Sequence, residues 1–282
     1  MADQHPLIIM AAGQGSRMKA KSDVPVWVRK EAESRPKAMI RIGRDKKPLL
    51  HHLIEQAVEE GMQDICVVIA PGDAITEDHF QVNPITGAEL DFVVQTIPEG
   101  RTKPEGTAQA VQLALEAHPE WEGSSVTVAN GDNLPPKGML SKMRQFTACL
   151  PAFDGDHLGL PKERVQAFAV IRKAKDGTLA SIEEKPDQAI IDASRWADGT
   201  VRVSMNYFKL PWASLLHSVS RAPMHPIRGE RELPVAVSLW NSANPGILQT
   251  LPMTGAFLDL THPRDILTSG EALDAGGHGL RD

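Results

Sequence analysis

LIIMAAGQGSRMKA, residues Leu7 to Ala20, decides the fold. Large apolar residues run straight into small ones: Ala11, Ala12, Gly13, Gly15 and Ser16, closed by Arg17. An apolar run followed by glycines reads as a buried strand that ends in a loop. In an open parallel sheet, ligands bind beyond the carboxyl ends of the strands, and Met10–Arg17 lies there if this strand is central. Gly13 and Gly15 permit backbone angles denied to other residues and leave N–H groups open to an anion. Arg17 adds a planar fork suited to phosphate oxygens. The dinucleotide fingerprint fails, because Met18 stands where its third glycine belongs, and the Gly-Lys-Ser/Thr ending of a P-loop is missing. Taken alone, the stretch reads equally well as a tight strand-to-helix turn with a solvated arginine.

Downstream, strands and helices alternate. Pro48–Glu60 carries apolar residues at helical spacing (Leu50, Ile54, Ala57), with a proline at its start and Gly61 beyond its end. Ile65–Ala70 is a β-branched run closed by Pro71-Gly72, and Leu90–Gln95 is a further strand. Gly106–Ala117 is an amphipathic helix, and Ser125–Ala129 a strand running into Asn130-Gly131-Asp132. This alternation predicts a largely parallel, doubly wound sheet. The later half is less regular, with strands expected at Phe168–Arg172, Leu179–Glu184 and Val201–Leu210. Helices are expected near Trp212–Val219 and Glu232–Trp240.

Composition bounds the function. A chain of 282 residues, 41% hydrophobic and 23% charged, can bury a sizeable core. Its net charge of −6 speaks against a general nucleic-acid binder. No apolar run approaches the roughly 18 residues that cross a bilayer. The N-terminus lacks a charged-then-apolar signal pattern, so a soluble cytoplasmic protein is expected, with no membrane partner. Two distant cysteines, Cys66 and Cys149, give neither a disulfide framework nor a zinc spacing.

Ser34–Met39 reads SRPKAM and leads into IRIGRDKKPLLHHLIEQAVEEGMQDICVVIA. With the first loop, this resembles the sugar-1-phosphate nucleotidyltransferases, particularly the short thymidylyl and uridylyl enzymes. Those chains open with a strand, a loop of the form A-G-G-x-G-T/S-R, then P-K-x-[ML] and a K-P-L/M-I helix. The likeness continues in order. Gln95, PEG and GTAQA are similar to Q-x-x-P-x-G-[LT]-A-x-A, and Asn130–Asn133 (NGDN) to the metal-binding G-D. SIEEKP, GERELP and Phe257–Ile266 (FLDLTHPRDI) are similar to E-E-K-P, G-E-x-x-L-P and W-x-D-I-G-T-P-E-D-L.

The resemblance implies an α/β fold: a Rossmann-like, doubly wound, mixed and mostly parallel sheet with helices on both faces, of the nucleotidyltransferase (GT-A-like) type. It implies one domain over residues 1–282, with a nucleotide-binding part at about 1–135 and an acceptor and second-metal part at about 136–282. The implied reaction is Mg²⁺-dependent nucleotidyl transfer from a nucleoside triphosphate, UTP or dTTP by the motifs, to a sugar 1-phosphate. The products are a nucleotide sugar and pyrophosphate. Attacking and leaving oxygens must lie in line and negative charge must be neutralised, so catalysis is positioning and electrostatics. By resemblance, Arg17 and Lys37 bind the phosphates that leave, and Lys185 holds the incoming phosphate. Asp132 and Asp259 carry Mg²⁺, which prefers one or two carboxylates plus phosphate oxygens and water. Ala11, Ala12, Gly13, Gly15 and Ser16 meet the nucleotide through the backbone, Gln95 bonds the base edge, and Gly106 and Thr107 line the base or ribose. Glu184 and Asn206 face the acceptor. Homo-oligomers are frequent in such families, and the sequence shows no interface signature.

Several departures bear on the acceptor. Arg17 and Pro36 are separated by a long charged insert, MKAKSDVPVWVRKEAES, which reads either as a flap over the triphosphate or as a surface excursion. The loop has Ala12 and Gln14 around Gly13 where Gly-Gly is frequent, and Met205-Asn206 where a glycine precedes the aromatic. Trp196, Trp212 and Trp240 keep open a cytidylyltransferase with an aromatic cage for a quaternary amine such as phosphocholine. Asp154-Gly155-Asp156-His157 keeps open a glycosyltransferase D-x-D, and an acidic surface loop is the commoner explanation. His51-His52 lacks a second ligand at i+4. A catalytically silent nucleotide-sugar sensor is a third alternative, against which Arg17, Lys37, Asp132, Lys185 and Asp259 are all present.

Overall fold

A computed structural model describes residues 5–280 apart from Gln14 and Lys21. The strands are β1 (Leu7–Met10), β2 (Arg41–Ile42), β3 (Lys47–Pro48), β4 (Asp64–Ile69), β5 (Glu89–Val94), β6 (Ser125–Asn130) and β7 (Asn133–Leu134) in the first half. The second half adds β8 (Cys149–Asp154), β9 (Val170–Lys173), β10 (Leu179–Glu183), β11 (Arg202–Val203), β12 (Phe208–Pro211), β13 (Gln249–Met253) and β14 (Leu258–Asp259). Ten of these form one sheet in the order β10-β9-β11-β8-β12-β6-β1-β4-β5, with β13 pairing β8. β6, β1, β4 and β5 run parallel, whereas β12 lies antiparallel between β6 and β8. The sheet is therefore mixed, with its parallel ladder concentrated in the first half of the chain.

The helices are α1 (Val26–Ser34), α2 (Leu49–Glu59), α3 (Ala74–Val82), α4 (Thr107–Ala117), α5 (Met139–Arg144), α6 (Lys162–Val165), α7 (Gln188–Ala193), α8 (Trp212–Ser220), α9 (Leu233–Ala243) and α10 (Asp265–Asp274). Alternation along β1 divides the core into two layers. Leu7 and Ile9 pack with α2 residues on one face, and Ile8 packs with α4, α8 and α9 on the other. α2 begins after Pro48, buries Leu49, Leu50, Leu53, Ile54 and Ala57, and ends where Gly61 takes φ +83°. α4 buries Ala108, Val111, Ala114 and Leu115 at helical spacing.

The regular first half follows the sequence expectation within a residue or two. Val201–Leu210, expected as one strand, is broken into β11 and β12, because the chain turns at Asn206 with φ +59°. The insert after Arg17 is an ordered surface excursion: α1 packs Val28 and Ala32 inward and leaves Val26 and Trp27 exposed. Its Glu31 is buried against Arg41, which donates from its backbone N, Nε and Nη2. Burial pushes that carboxyl up, and Arg41's hydrogen bonds and charge more than reverse it. Trp196, Trp212 and Trp240 pack in or against the second core layer rather than forming a cage. The face of Trp196 is taken by Lys173 and Arg202. Asp154 accepts from the Asp156 N–H and faces His157 Nδ1 at 2.9 Å, which makes Asp154–His157 a self-bonded turn. No described helix is long and apolar enough to cross a membrane.

Candidate active site

From β1 the chain moves outward through β4 to β5, then returns to place β6 on the other side of β1. This reversal opens a crevice at the carboxyl ends of β1 and β6, the place where open α/β sheets bind ligands. A cleft of about 400 Å³ occupies it, lined by Met10, Ala11, Ala12, Gly13, Lys37, Gln95, Gly106, Thr107 and Asp132 among others. The parallel ladder carries on into the loops that form its floor. Ala11 N donates to Val68 O at 2.8 Å, and Gly131 N to Met10 O at 2.9 Å.

Lys37 follows Pro36 in a short 3-10 turn, and its Nζ lies 2.5 Å from Asp132 Oδ2. Gly15 has φ +60°, and a Cβ there would stand 3.2 Å from the Lys37 Cβ, so the glycine lets loop and lysine approach. Gly13 has open space around it and lines the cleft without a left-handed backbone. Gln95, at the end of β5, is buried and donates from Nε2 to Gly106 O at 2.8 Å and to Gln109 Oε1 at 3.2 Å. Its amide nitrogen thus holds the start of α4, and its carbonyl oxygen is the end left for a base edge. Gly106 sits at φ +95° ahead of α4, and a Cβ there would lie 2.7 Å from Arg231 O. The first turn of α4 faces the cleft, where backbone N–H groups and the helix dipole favour an anion. The Thr107 hydroxyl accepts from Leu233 N at 2.9 Å and joins α4 to α9.

Other expected residues stand apart from this cleft. Arg17 and Ser16 are exposed, and Arg17 has no ion pair among the described residues. Lys185 and Glu184 lie just beyond β10, exposed, and Asn206 lies in the break between β11 and β12. Lys185 (φ +49°) and Asn206 (φ +59°) are two of the three described non-glycine residues with positive φ, the third being Lys46. Such strain collects at functional sites because surrounding structure must hold it. Although the residue as a whole is exposed, partial desolvation of its carboxyl raises the proton affinity of Glu184, and the nearby Glu232 raises it further against Arg228 and Lys185. Glu232 lines the cleft, so the Glu184 end of β10 approaches the same opening.

Asp132 and Asp259 are joined by a small ribbon. β14 pairs antiparallel with β7, setting Asp259 opposite Asn133, and Leu260 N donates to Asp132 O at 3.1 Å. Asn133 accepts from the buried Tyr207 hydroxyl at 3.0 Å, which ties the ribbon to the turn before β12. Asp132 lines the cleft and its ribbon neighbour Asp259 stands outside that lining; magnesium takes one or two carboxylates plus water and phosphate oxygens. Asp132 suits this: its side chain is 34% exposed, and its charged partner among the described residues is Lys37. Asp259 is buried, with Oδ2 held by Thr261 Oγ1 at 2.8 Å and contacted by the Arg164 guanidinium. Arg164 was not among the expected residues, since nothing in Lys162–Val165 marks it in sequence.

Two loops that the sequence reading left without a role close the rim. Lys103 Nζ meets Glu230 Oε1 at 2.6 Å, Arg231 Nη2 meets Glu105 Oε2 at 2.9 Å, and Arg101 donates to Gly229 O. Lys103, Glu230 and Glu232 all line the cleft, and the available signal was their place inside KPEG and GERELP.

A family model described as "Nucleotidyl transferase" matches residues 7–209. The chain is 28% identical over 237 residues to "Bifunctional protein GlmU" of Acidovorax ebreus (strain TPSY), covering 83% of this chain and 43% of that one. It is 26% identical over 186 residues to "Glucose-1-phosphate thymidylyltransferase" of Mycolicibacterium smegmatis, covering 64% of this chain and 54% of that one. This chain spans about half the length of these relatives. Among solved structures, a putative glucose-1-phosphate thymidylyltransferase from Bacillus anthracis, in complex with a sucrose, superposes with a TM-score of 0.68. At 17% identity over 96% of this chain and 95% of that one, it shows that the two share a fold.

Proposed function

The chain belongs to the nucleotidyl transferase family, whose model spans residues 7–209, and from that premise we propose that it transfers a nucleotidyl group from a nucleoside triphosphate to a sugar 1-phosphate. The observation that carries this reading is the meeting of Lys37 Nζ and Asp132 Oδ2, 95 positions apart, at 2.5 Å in the cleft beyond β1 and β6. A cation and an anion set together there can receive a triphosphate and the ion that accompanies it.

In the proposed reaction, a phosphate oxygen of the acceptor attacks the α-phosphorus, the bond to the β-phosphate oxygen breaks, and pyrophosphate leaves with the electron pair. The backbone of Ala11, Ala12 and Gly13 and the first turn of α4 hold the nucleotide, and Gln95 meets the base. Lys37 shifts from Asp132 to the phosphates, and Arg17 turns in from solvent to the leaving pyrophosphate. Lys185 neutralises the acceptor phosphate, while Glu184 and Asn206 position the sugar. Asp132, with Asp259 on the neighbouring strand, would hold Mg²⁺, which would supply Lewis-acid charge to the phosphates. Uridine or thymidine is the favoured base, resting on the NGDN and GTAQA motifs.

The test is pyrophosphate release with Mg²⁺ across five nucleoside triphosphates, each crossed with hexose 1-phosphates and phosphocholine. Release that needs UTP or dTTP together with a hexose 1-phosphate is expected. Release from CTP with phosphocholine would replace this reading with a cytidylyltransferase. Silence throughout, with tight nucleotide-sugar binding by calorimetry, would replace it with a sensor.

A further inference from the structure

Arg164 bridges two carboxylates. Its Nη2 contacts Asp259 Oδ2, and its Nη1 donates to Asp265 Oδ2 at 3.0 Å. The arginine and Asp259 side chains are only 15% and 11% exposed, so this is a largely desolvated ion pair. Asp265 is anchored independently, accepting from Thr261 N and His262 N at 2.7 Å each. Removing one partner from such a pair leaves a charge without compensation, so Asp259 is stabilised by keeping Arg164 against it.

We propose that Arg164 is the resident cation of Asp259 and competes with the divalent ion for it, with Asp265 as the seat Arg164 keeps when it lets Asp259 go. The inference rests on the reading of Asp132 and Asp259 as the ion-bearing pair. An ion on the Asp259 carboxylate and the Arg164 guanidinium on its Oδ2 would repel each other at that distance, so each weakens the hold of the other. Since Arg164 already holds Asp265, releasing Asp259 leaves its guanidinium paired. Arg164 is thus a positioning residue: it sets how much charge an incoming substrate must bring before Asp259 turns to the ion.

The experiment is direct Mn²⁺ binding to the full chain, followed by the electron paramagnetic resonance of free Mn²⁺. Arg164→Gln should bind Mn²⁺ at least roughly tenfold more tightly, the scale on which partners of metal ligands act. Asp265→Asn, which removes the alternative seat, should bind more weakly. Without the ion, Arg164→Gln should melt below the wild type and gain more from added Mn²⁺. A merely structural arginine would leave Mn²⁺ affinity unchanged or weaken it in Arg164→Gln, and that overturns the proposal. If Arg164→Gln does not fold, Asp265→Asn decides, since unchanged or tighter binding there overturns it equally. Asp132→Asn separates the two failures. If it loses Mn²⁺ while the other variants match the wild type, the ion site stands and the role of Arg164 falls. If it binds as the wild type does, both fall together.

Discussion

Around Gly106 and around Lys185 the chain offers groups to phosphate in opposite ways. Gly106 takes φ +95° at no steric cost, and what it presents is backbone: the start of an eleven-residue helix, held by Gln95 and by the Ala108 N–H donating to Arg231 O. Lys185 takes φ +49° with a full side chain, in an exposed bend after an antiparallel strand, and what it presents is an ammonium group. Under the proposed reaction, the nucleotide side would be built into regular elements, whereas the acceptor side would rest on individual charged residues with positive φ. A backbone cradle suits the triphosphate common to all nucleotides, and side chains suit the part of the reaction that varies.

The largest expected effect tests where the two sides meet. Asp132→Asn should lower kcat/KM by roughly 10³ or more, equivalent to several kcal/mol of transition-state stabilisation, while the melting temperature holds. Full activity in that variant would remove Asp132 from the chemistry. The next prediction separates strain from charge on the acceptor side. Lys185→Gly should relieve about 1 kcal/mol of backbone strain and raise the melting temperature. It should also raise KM for the acceptor by roughly tenfold and leave KM for the triphosphate alone. Stabilisation with unchanged acceptor KM would break the contrast drawn above.

The smallest effect is on stability and belongs to the nucleotide side. His51 and His52 on α2 and His79 on α3 have proton affinities lowered, chiefly by burial, and His51 Nδ1 lies 3.1 Å from His79 Nε2. Their folded pKa values lie below the ordinary 6.5, so as pH falls through that value the unfolded chain takes up protons first. Stability should therefore be full above neutral pH and decline from about 6.5 downward to the folded values. Thermal melts between pH 8 and 5 check this, and His51→Gln should flatten the decline.

Legibility followed the same division. β1 and β4 were readable as unbroken apolar runs buried on both faces, and β5 from half-buried residues alternating with exposed ones. α2 and α4 were readable from a buried face at helical spacing, with Gly61 marking a stop that only a left-handed residue makes. β8 was missed because CLPAFD carries a proline and a terminal aspartate, although all six residues are buried. The packed face of α1 was hidden because Glu31, charged and therefore read as solvated, is buried with Arg41. Lys37 and Asp132 were found through motifs, but their contact was not, since no local pattern encodes a pairing across 95 positions. Arg164 had no motif at all, and its role comes only from where α6 sets it.

The place of β12 has a consequence for biosynthesis. It lies between β6 and β8, so when the chain has been made only as far as Tyr207, β6 has β1 on one side and nothing on the other. Those bare N–H and C=O groups invite pairing with another nascent chain. Until residues 208–211 leave the ribosome and dock, the half that holds β1, β4, β5 and β6 exists as an unfinished sheet with an adhesive edge. Ribosome pausing just before this point would prolong that state, and pausing just after it would let the sheet close.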